Sequence, residues 1–226
     1  MRLRLFRNGF FRYGAGACAG KLFAAFLCLA SPAAASGPVT VLALGDSLTQ
    51  GYGLPQEDGL VPQLRDWLEA RDIAAEVINA GVSGDTTAGG AARIGWSLDE
   101  EVDAMIVALG GNDLLRGIDP AVSRGHLETI LREADARDVE VLLVGMSAPP
   151  NYGAEYKAAF DSMYADLAAA HETLYAPDFF AGLGQMTPET MQRFFQPDGI
   201  HPNAEGVSRI VETLGPHVAD LIDAAK

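Results

Sequence analysis

Short, nearly unbroken apolar runs alternate along this chain with apolar stripes of helical period. Val39-Thr-Val-Leu-Ala-Leu44 ends at Gly45, Met105-Ile-Val-Ala-Leu109 ends at Gly110-Gly111, and Val139-Glu-Val-Leu-Leu-Val144 ends at Gly145. Runs this short and continuous suit strands buried on both faces of a parallel sheet. Residues 75–79 and 173–176 read as weaker strands. Between the runs, Leu60, Val61, Leu64, Trp67 and Leu68 share one helical face, and Tyr156, Phe160, Met163, Tyr164 and Leu167 share another. Asp119-Pro120 has the form of an N-cap and first helical position, ahead of Val122, Leu127, Ile130 and Leu131. A last stripe holds Val207, Ile210, Val211, Leu214, Val218 and Leu221, with Pro216 expected to kink or break it. Strand–helix alternation predicts a doubly wound α/β sheet with helices on both faces, whose ligand site lies beyond the carboxyl ends of the strands.

The first 35 residues do not fit that pattern. Arg2, Arg4, Arg7, Arg12 and Lys21 lie in a stretch without acid, the nine residues Leu22 to Ala30 are apolar, and small residues follow to Ala35. Basic, then apolar, then small is the order of a secretory signal peptide, and cleavage after Ala35 is expected. An uncleaved anchor is the alternative, but the apolar run is about half of what a bilayer span requires. Acylation at Cys18 or Cys28 lacks the surrounding pattern it would need. The division is therefore 1–35 signal peptide and 36–226 one domain, destined for a bacterial periplasm or the outside. Both cysteines fall inside the signal, so the mature chain has no disulfide, thiol nucleophile or cysteine metal site. The whole chain carries a net charge of −14; without the five basic residues of the leader, eleven basic residues face thirty acidic ones, a net −19. Such a body is a poor partner for nucleic acid or for an anionic membrane surface.

Polar residues gather after the strands. Gly45-Asp46-Ser47-Leu48-Thr49 follows the first, 79–86 the second and Gly110-Gly111-Asn112-Asp113 the third, while Asp198-Gly199-Ile200-His201-Pro202 precedes the last helix. A serine hydroxyl is a weak nucleophile that needs a base; histidine suits that role near neutral pH, and an acid three residues before it can reach its second ring nitrogen. Ser47 N–H, Gly84 N–H and the Asn112 amide are candidate donors to an oxyanion, each worth about 3 kcal/mol of barrier. Taken singly, each residue has a plainer reading: Ser47 as a helix N-cap, Asn112 as a loop cap, Asp198-Gly199 as a turn. Asp46, Asp85 and Asp113 are expected to brace their loops, and His126, His171 and His217 to be solvated helical residues. Gly110-Gly111 lacks the Lys-Ser/Thr partner of a phosphate cradle, and Thr49 stands where a Gly-x-Ser-x-Gly elbow needs glycine.

Together the clusters resemble, in order, the four blocks of the SGNH (GDSL) hydrolases, and within them the bacterial arylesterase, thioesterase I and lysophospholipase L1 group. The matching stretches are Gly45-Asp-Ser-Leu-Thr-Gln-Gly-Tyr52, Asn79-Ala-Gly-Val-Ser-Gly-Asp-Thr86, Gly110-Gly-Asn-Asp-Leu-Leu-Arg-Gly117, Pro150-Asn-Tyr-Gly153 and Asp198-Gly-Ile-His-Pro-Asn203. The resemblance spans nearly all of 38–222. It implies a three-layer α/β/α sandwich with a five-stranded parallel sheet, of flavodoxin-like order. It implies a catalytic set of Ser47, Asp198 and His201 and an oxyanion hole of Ser47, Gly84 and Asn112. Gly81 could offer an N–H as well; Gly84 is preferred because it heads the Gly-Asp-Thr element. The resemblance further implies no metal or organic cofactor, and a small-molecule acyl ester as partner: an aryl ester, an acyl thioester or a lysophospholipid. A monomer is expected. Leu114, Leu115 and Ile118 are expected against the acyl chain. Phe179, Phe180, Met186, Met191, Phe194 and Phe195 flank the acid–base pair, as pocket or as core. Arg93 and Arg116 are scarce cations in an acidic body; Arg116 is read as a solvated surface residue, with a phosphate head group the alternative. A carbohydrate acetylesterase using the same residues and a non-catalytic lipid-binding module are the other readings.

Overall fold

The computed structural model describes residues 37–226; the expected signal peptide lies outside the described residues. Five strands, β1 (Val39–Gly45), β2 (Ala75–Gly81), β3 (Ala104–Ala108), β4 (Glu140–Val144) and β5 (Leu174–Ala176), form one parallel sheet in the order β2-β1-β3-β4-β5. The three central strands are the apolar runs. All five residues of β3 are buried, as are six of the seven in β1. The edge strands are covered less: Val77 alone is buried in β2 and Ala176 alone in β5.

Helices α2 (Leu60–Glu69) and α8 (Ala204–Ala224) pack on one another and against one face of the sheet, and the short α7 (Pro188–Phe194) packs on α8. Helices α3 (Thr87–Ser97), α5 (Pro120–Asp135) and α6 (Ala154–Ala170) pack in series on the other, which makes a three-layer α/β/α sandwich. Their buried faces are the expected stripes: Leu60, Val61, Leu64, Trp67 and Leu68 on α2, Phe160, Met163, Tyr164 and Leu167 on α6. Asp119 caps α5, its Oδ1 accepting from Ala121 N at 2.9 Å, with Pro120 following it.

Two expectations are corrected, and one helix was not foreseen. Pro216 lies within α8, exposed, and the helix runs through it to Ala224. A missing N–H on the solvent side leaves one carbonyl to water, and the buried stripe on the opposite face holds the helix together. Val122 is exposed, not part of the α5 stripe. Helix α3 had no apolar signature, because it buries small and polar residues: Thr87, Gly90 and Arg93 beside Ile94. A Cβ at Gly90 would collide with Leu109, so the glycine brings α3 close to the end of β3.

The strand order reverses between β2-β1 and β1-β3, so the chain leaves β1 and β3 toward opposite faces and a crevice opens between their carboxyl ends. A short helix, α1 (Ser47–Gln50), lies directly across the ends of β1 and β2. Gly45 and Gly81 are partners in the sheet register there. A Cβ on Gly45 would collide with Thr49 Oγ1, and one on Gly81 with Gln50 N, so both strand ends need glycine for α1 to pack.

Candidate active site

Three of the four polar clusters end a strand, and all four lead into a helix. Asp46 caps α1, its Oδ1 accepting from Leu48 N at 3.0 Å, so Ser47 is the first helical residue and its N–H has no intrahelical acceptor. Thr86 caps α3 just after Gly84-Asp85, and Asn203 caps α8 just after His201-Pro202, with Gly206 N donating to Asn203 Oδ1 at 3.0 Å. The fourth helix, α4 (Gly111–Leu115), begins at Gly110 and carries Asn112 in its first turn.

These turns bring Ser47, His201 and Asp198 into one chain of hydrogen bonds. Ser47 Oγ lies 2.9 Å from His201 Nε2, and His201 Nδ1 lies 2.7 Å from Asp198 Oδ2. The other carboxylate oxygen of Asp198 accepts from Ile200 N at 2.9 Å and His201 N at 3.0 Å. The hydrogen bond from His201, helped by these two N–H groups, holds the Asp198 carboxyl at about 2, below the ordinary carboxylate value. An ionised Asp198 accepts the Nδ1 proton and leaves Nε2 to accept from the serine hydroxyl.

Asn112 Nδ2 donates to Asp46 Oδ2 at 3.1 Å, which uses one of its two amide hydrogens. Burial pushes the Asp46 carboxyl above its usual range, opposed by the bonds from Leu48 N and Asn112. Gly84 has φ +83°, and its N–H has no acceptor among the described residues. The Gly81 N–H, by contrast, donates to Asn79 Oδ1 at 3.0 Å. Of the two glycines, Gly84 is therefore the one whose N–H remains available.

The expected bracing carboxylates are in place. Asp113 is fully buried and accepts from Thr87 N (2.8 Å), Thr87 Oγ1 (2.6 Å) and Ser123 Oγ (2.9 Å). Asp85 pairs with Arg93 Nε at 2.7 Å, and Arg93 Nη2 donates to Gly45 O at 2.9 Å. Arg93 is thus buried and ties the Gly84 loop to the strand end before Ser47. Arg116 is exposed, and its Nη2 donates to Gly84 O at 2.8 Å.

A cleft of about 330 Å³ opens on Ser47 and His201. Leu114 and Leu115 line it as expected, with Leu48, Tyr52, Met146, Phe180 and Ile200. Ile118 does not: its N–H turns back to Asp113 O and its carbonyl accepts from Tyr156 Oη, so it closes the end of α4. Of the flanking apolar residues, Phe180 reaches the cleft, Phe179 and Phe195 are core, Met191 and Phe194 pack against the core, and Met186 is exposed. His126, His171 and His217 lie away from the cleft and are half-buried; His126 Nδ1 stands 3.3 Å from Thr87 Oγ1. Tyr52 had been given no role, yet its ring is tilted against His201 with centroids 4.6 Å apart. Met146 and Ser147 were also missed, although they follow β4 and the strand-end rule points there. Among the described residues no three His, Cys, Asp or Glu side chains gather closely enough to hold a metal ion.

A serine, an imidazole and a carboxylate in hydrogen-bonding register, at the switch point of a parallel sheet and beside free N–H donors, define a class of nucleophilic hydrolase architecture. Comparison with known proteins narrows the class. The profile of the GDSL-like Lipase/Acylhydrolase family matches residues 43–209, and the chain belongs to that family. It is 39% identical over 184 residues to the esterase TesA of Pseudomonas aeruginosa, covering 81% of this chain and 89% of that one. It is 34% identical over 185 residues to the thioesterase 1/protease 1/lysophospholipase L1 of Escherichia coli K12, covering 81% and 85%. Among solved structures, AlinE4, an SGNH-hydrolase family esterase, superposes with a TM-score of 0.67 at 41% identity, covering 82% of this chain and 97% of that one.

Proposed function

We propose that this chain is an exported serine ester hydrolase in which Ser47 is the nucleophile, His201 the general base and Asp198 the residue that orients and stabilises the imidazole. The observation that carries the reading is the continuous Ser47–His201–Asp198 hydrogen-bond chain at the mouth of an apolar cleft. Ser47 Oγ adds to the carbonyl carbon as its proton passes to His201 Nε2. The oxyanion receives hydrogen bonds from Ser47 N–H, Gly84 N–H and the second Asn112 amide hydrogen. His201 then protonates the departing alcohol or thiol, leaving an acyl-serine. Water, deprotonated by the same imidazole, releases the acid.

The substrate is a carboxylic ester with an apolar acyl or aryl part: an aryl ester, an acyl thioester or a lysophospholipid. Leu48, Leu114, Leu115, Met146 and Phe180 supply the apolar wall, and such a lining favours hydrocarbon over sugar. The names borne by the relatives, an esterase and a thioesterase/lysophospholipase, support an ester substrate and the last two of these classes. Ser47→Ala should abolish hydrolysis of p-nitrophenyl butyrate while leaving the circular dichroism spectrum unchanged; near-wild-type turnover would reject the assignment. In the same assay Asn112→Ala should raise the barrier by about 3 kcal/mol, and an effect below about twofold would remove Asn112 from the oxyanion hole.

A further inference from the structure

Gln196 stands outside the cleft lining, yet it joins the loop carrying Asp198 and His201 to the turn that follows Ser47. Its backbone N–H donates to His201 O at 2.7 Å and its carbonyl accepts from Gly199 N at 3.0 Å. Both hydrogens of its side-chain amide go to backbone carbonyls: Nε2 donates to Pro202 O at 3.0 Å and to Tyr52 O at 2.8 Å. The first bond closes the 196–202 loop on itself, beside the antiparallel bridge between Phe195 and Pro202. The second crosses to the serine turn, where Tyr52 N–H donates to Ser47 O at 3.1 Å. Gly53 is shaped to receive this side chain. It has φ +75°, and a Cβ there would collide with Gln196 Oε1.

From this juxtaposition we infer that Gln196, seated against Tyr52 and Gly53, is a positioning residue that sets the register between His201 and Ser47. The inference rests on the proton-transfer role proposed above for His201. Ser47 and His201 are 154 residues apart in sequence, so tertiary contacts fix the 2.9 Å separation of Oγ and Nε2: the packing of α8 sets the approach, and the Tyr52–His201 ring contact and the Gln196 bridge join the two loops directly. Asp198 rides on the same loop as His201. The His201–Asp198 pair is held by its own bonds and by the backbone bonds of Gln196, none of which uses the Gln196 side chain, so loss of the clasp falls chiefly on the Ser47–His201 pair. A misplacement of about 1 Å at a reacting pair costs on the order of 10²-fold in rate.

The test uses Gln196→Met, which keeps length and removes both donated bonds, and Gln196→Glu, which sets a carboxylate against two carbonyls. The readouts are kcat, KM and the rate at which a fluorophosphonate labels Ser47. The expected result is a fall of roughly 10- to 100-fold in both kcat and labelling rate, with KM held within about twofold. A residue that served only stability would lower Tm and leave kcat and labelling rate of the folded enzyme at wild-type values; that result overturns the inference. Gly53→Ala supplies an independent arm. It should lower kcat in the wild-type background and less in a Gln196→Ala background, where the collision is gone and only the strain of a Cβ at φ +75° remains; simple additivity would also overturn the inference. Inactive wild-type enzyme, or an active Ser47→Ala, would instead bring down the hydrolase reading itself, so the two failures are distinct.

Discussion

Asp198 shows how a side chain's local bonds settle its part in the site. It is partly exposed, with 37% of its side-chain surface accessible, yet three donors hold its carboxyl at about 2. An unfolded aspartate titrates near 3.8. A carboxyl depressed on folding contributes stability that is fully present above the unfolded value and disappears as pH falls through the folded one. Wild type should therefore exceed Asp198→Asn in Tm by a constant margin above about pH 5, and the margin should close between about pH 4 and pH 2. Thermal melts of the two proteins across that range check it; a margin unchanged at pH 2 would detach the carboxylate from the fold's acid response. The positions and types of Ser47, Asn112, Asp198 and His201 were all legible in the sequence, because each lies in a short polar block at a strand or helix end. Tyr52, Gln196 and Met146 were not. Their parts arise from meetings between loops far apart in the chain, and nothing local marks a glutamine that will find two carbonyls elsewhere.

At the scale of elements, three helix ends share one device. Asp72, Asp138 and Glu172 take left-handed φ values of 57°, 55° and 54°. After each, the next N–H reaches back six residues inclusive: Ile73 N to Leu68 O, Val139 N to Ala134 O, and Thr173 N to Ala168 O. These are Schellman closures of α2, α5 and α6, made with acidic residues where glycine is the unstrained choice. Each acid also faces the negative end of a helix dipole. Glu172→Gly should therefore raise stability by about 0.5–1 kcal/mol. The sign to expect in urea unfolding is a higher midpoint at unchanged slope; a lower midpoint would mean that the freer unfolded chain outweighs the relieved strain. The same scale explains which elements were readable. Strands β1, β3 and β4 are covered on both faces and so are apolar but for Thr40 and the exposed Glu140, whereas edge strands β2 and β5 need less apolar surface and gave weaker patterns. Helix α3 escaped because its packing depends on small residues and a buried ion pair, which carry no hydrophobic period.

Over the whole molecule, function depends on where the sheet reverses. The crevice between β1 and β3 receives Ser47 from one side and Asn112 from the other, while the loop before α8 arrives above them with His201. Among the described residues no helix is long and apolar enough to cross a membrane. Export is carried in the proposal by the leader, whose nine-residue apolar run falls well short of a bilayer span of about 20 residues. Expressed with its leader in a bacterium that has a periplasm, the protein should be recovered with Ser36 as its first residue. N-terminal sequencing decides it, and intact Met1 in the membrane fraction would favour an uncleaved anchor.

By itself the amino-acid sequence determined the alternation of strand and helix, the buried faces and the residue types gathered at the candidate site. Those follow from short-range periodicity and from glycine and capping residues at element ends, all of which are written within a few positions of one another. Only the tertiary structure decided that Gly84, and not Gly81, keeps its N–H available, that Arg93 is an internal strut, that Ile118 turns away from the cleft, and that Gln196 bridges the two loops. Each of those outcomes is a competition for a partner in space. Hydrogen-bonding groups are satisfied by whatever folding brings within about 3 Å, and that distance is not encoded by separation along the chain.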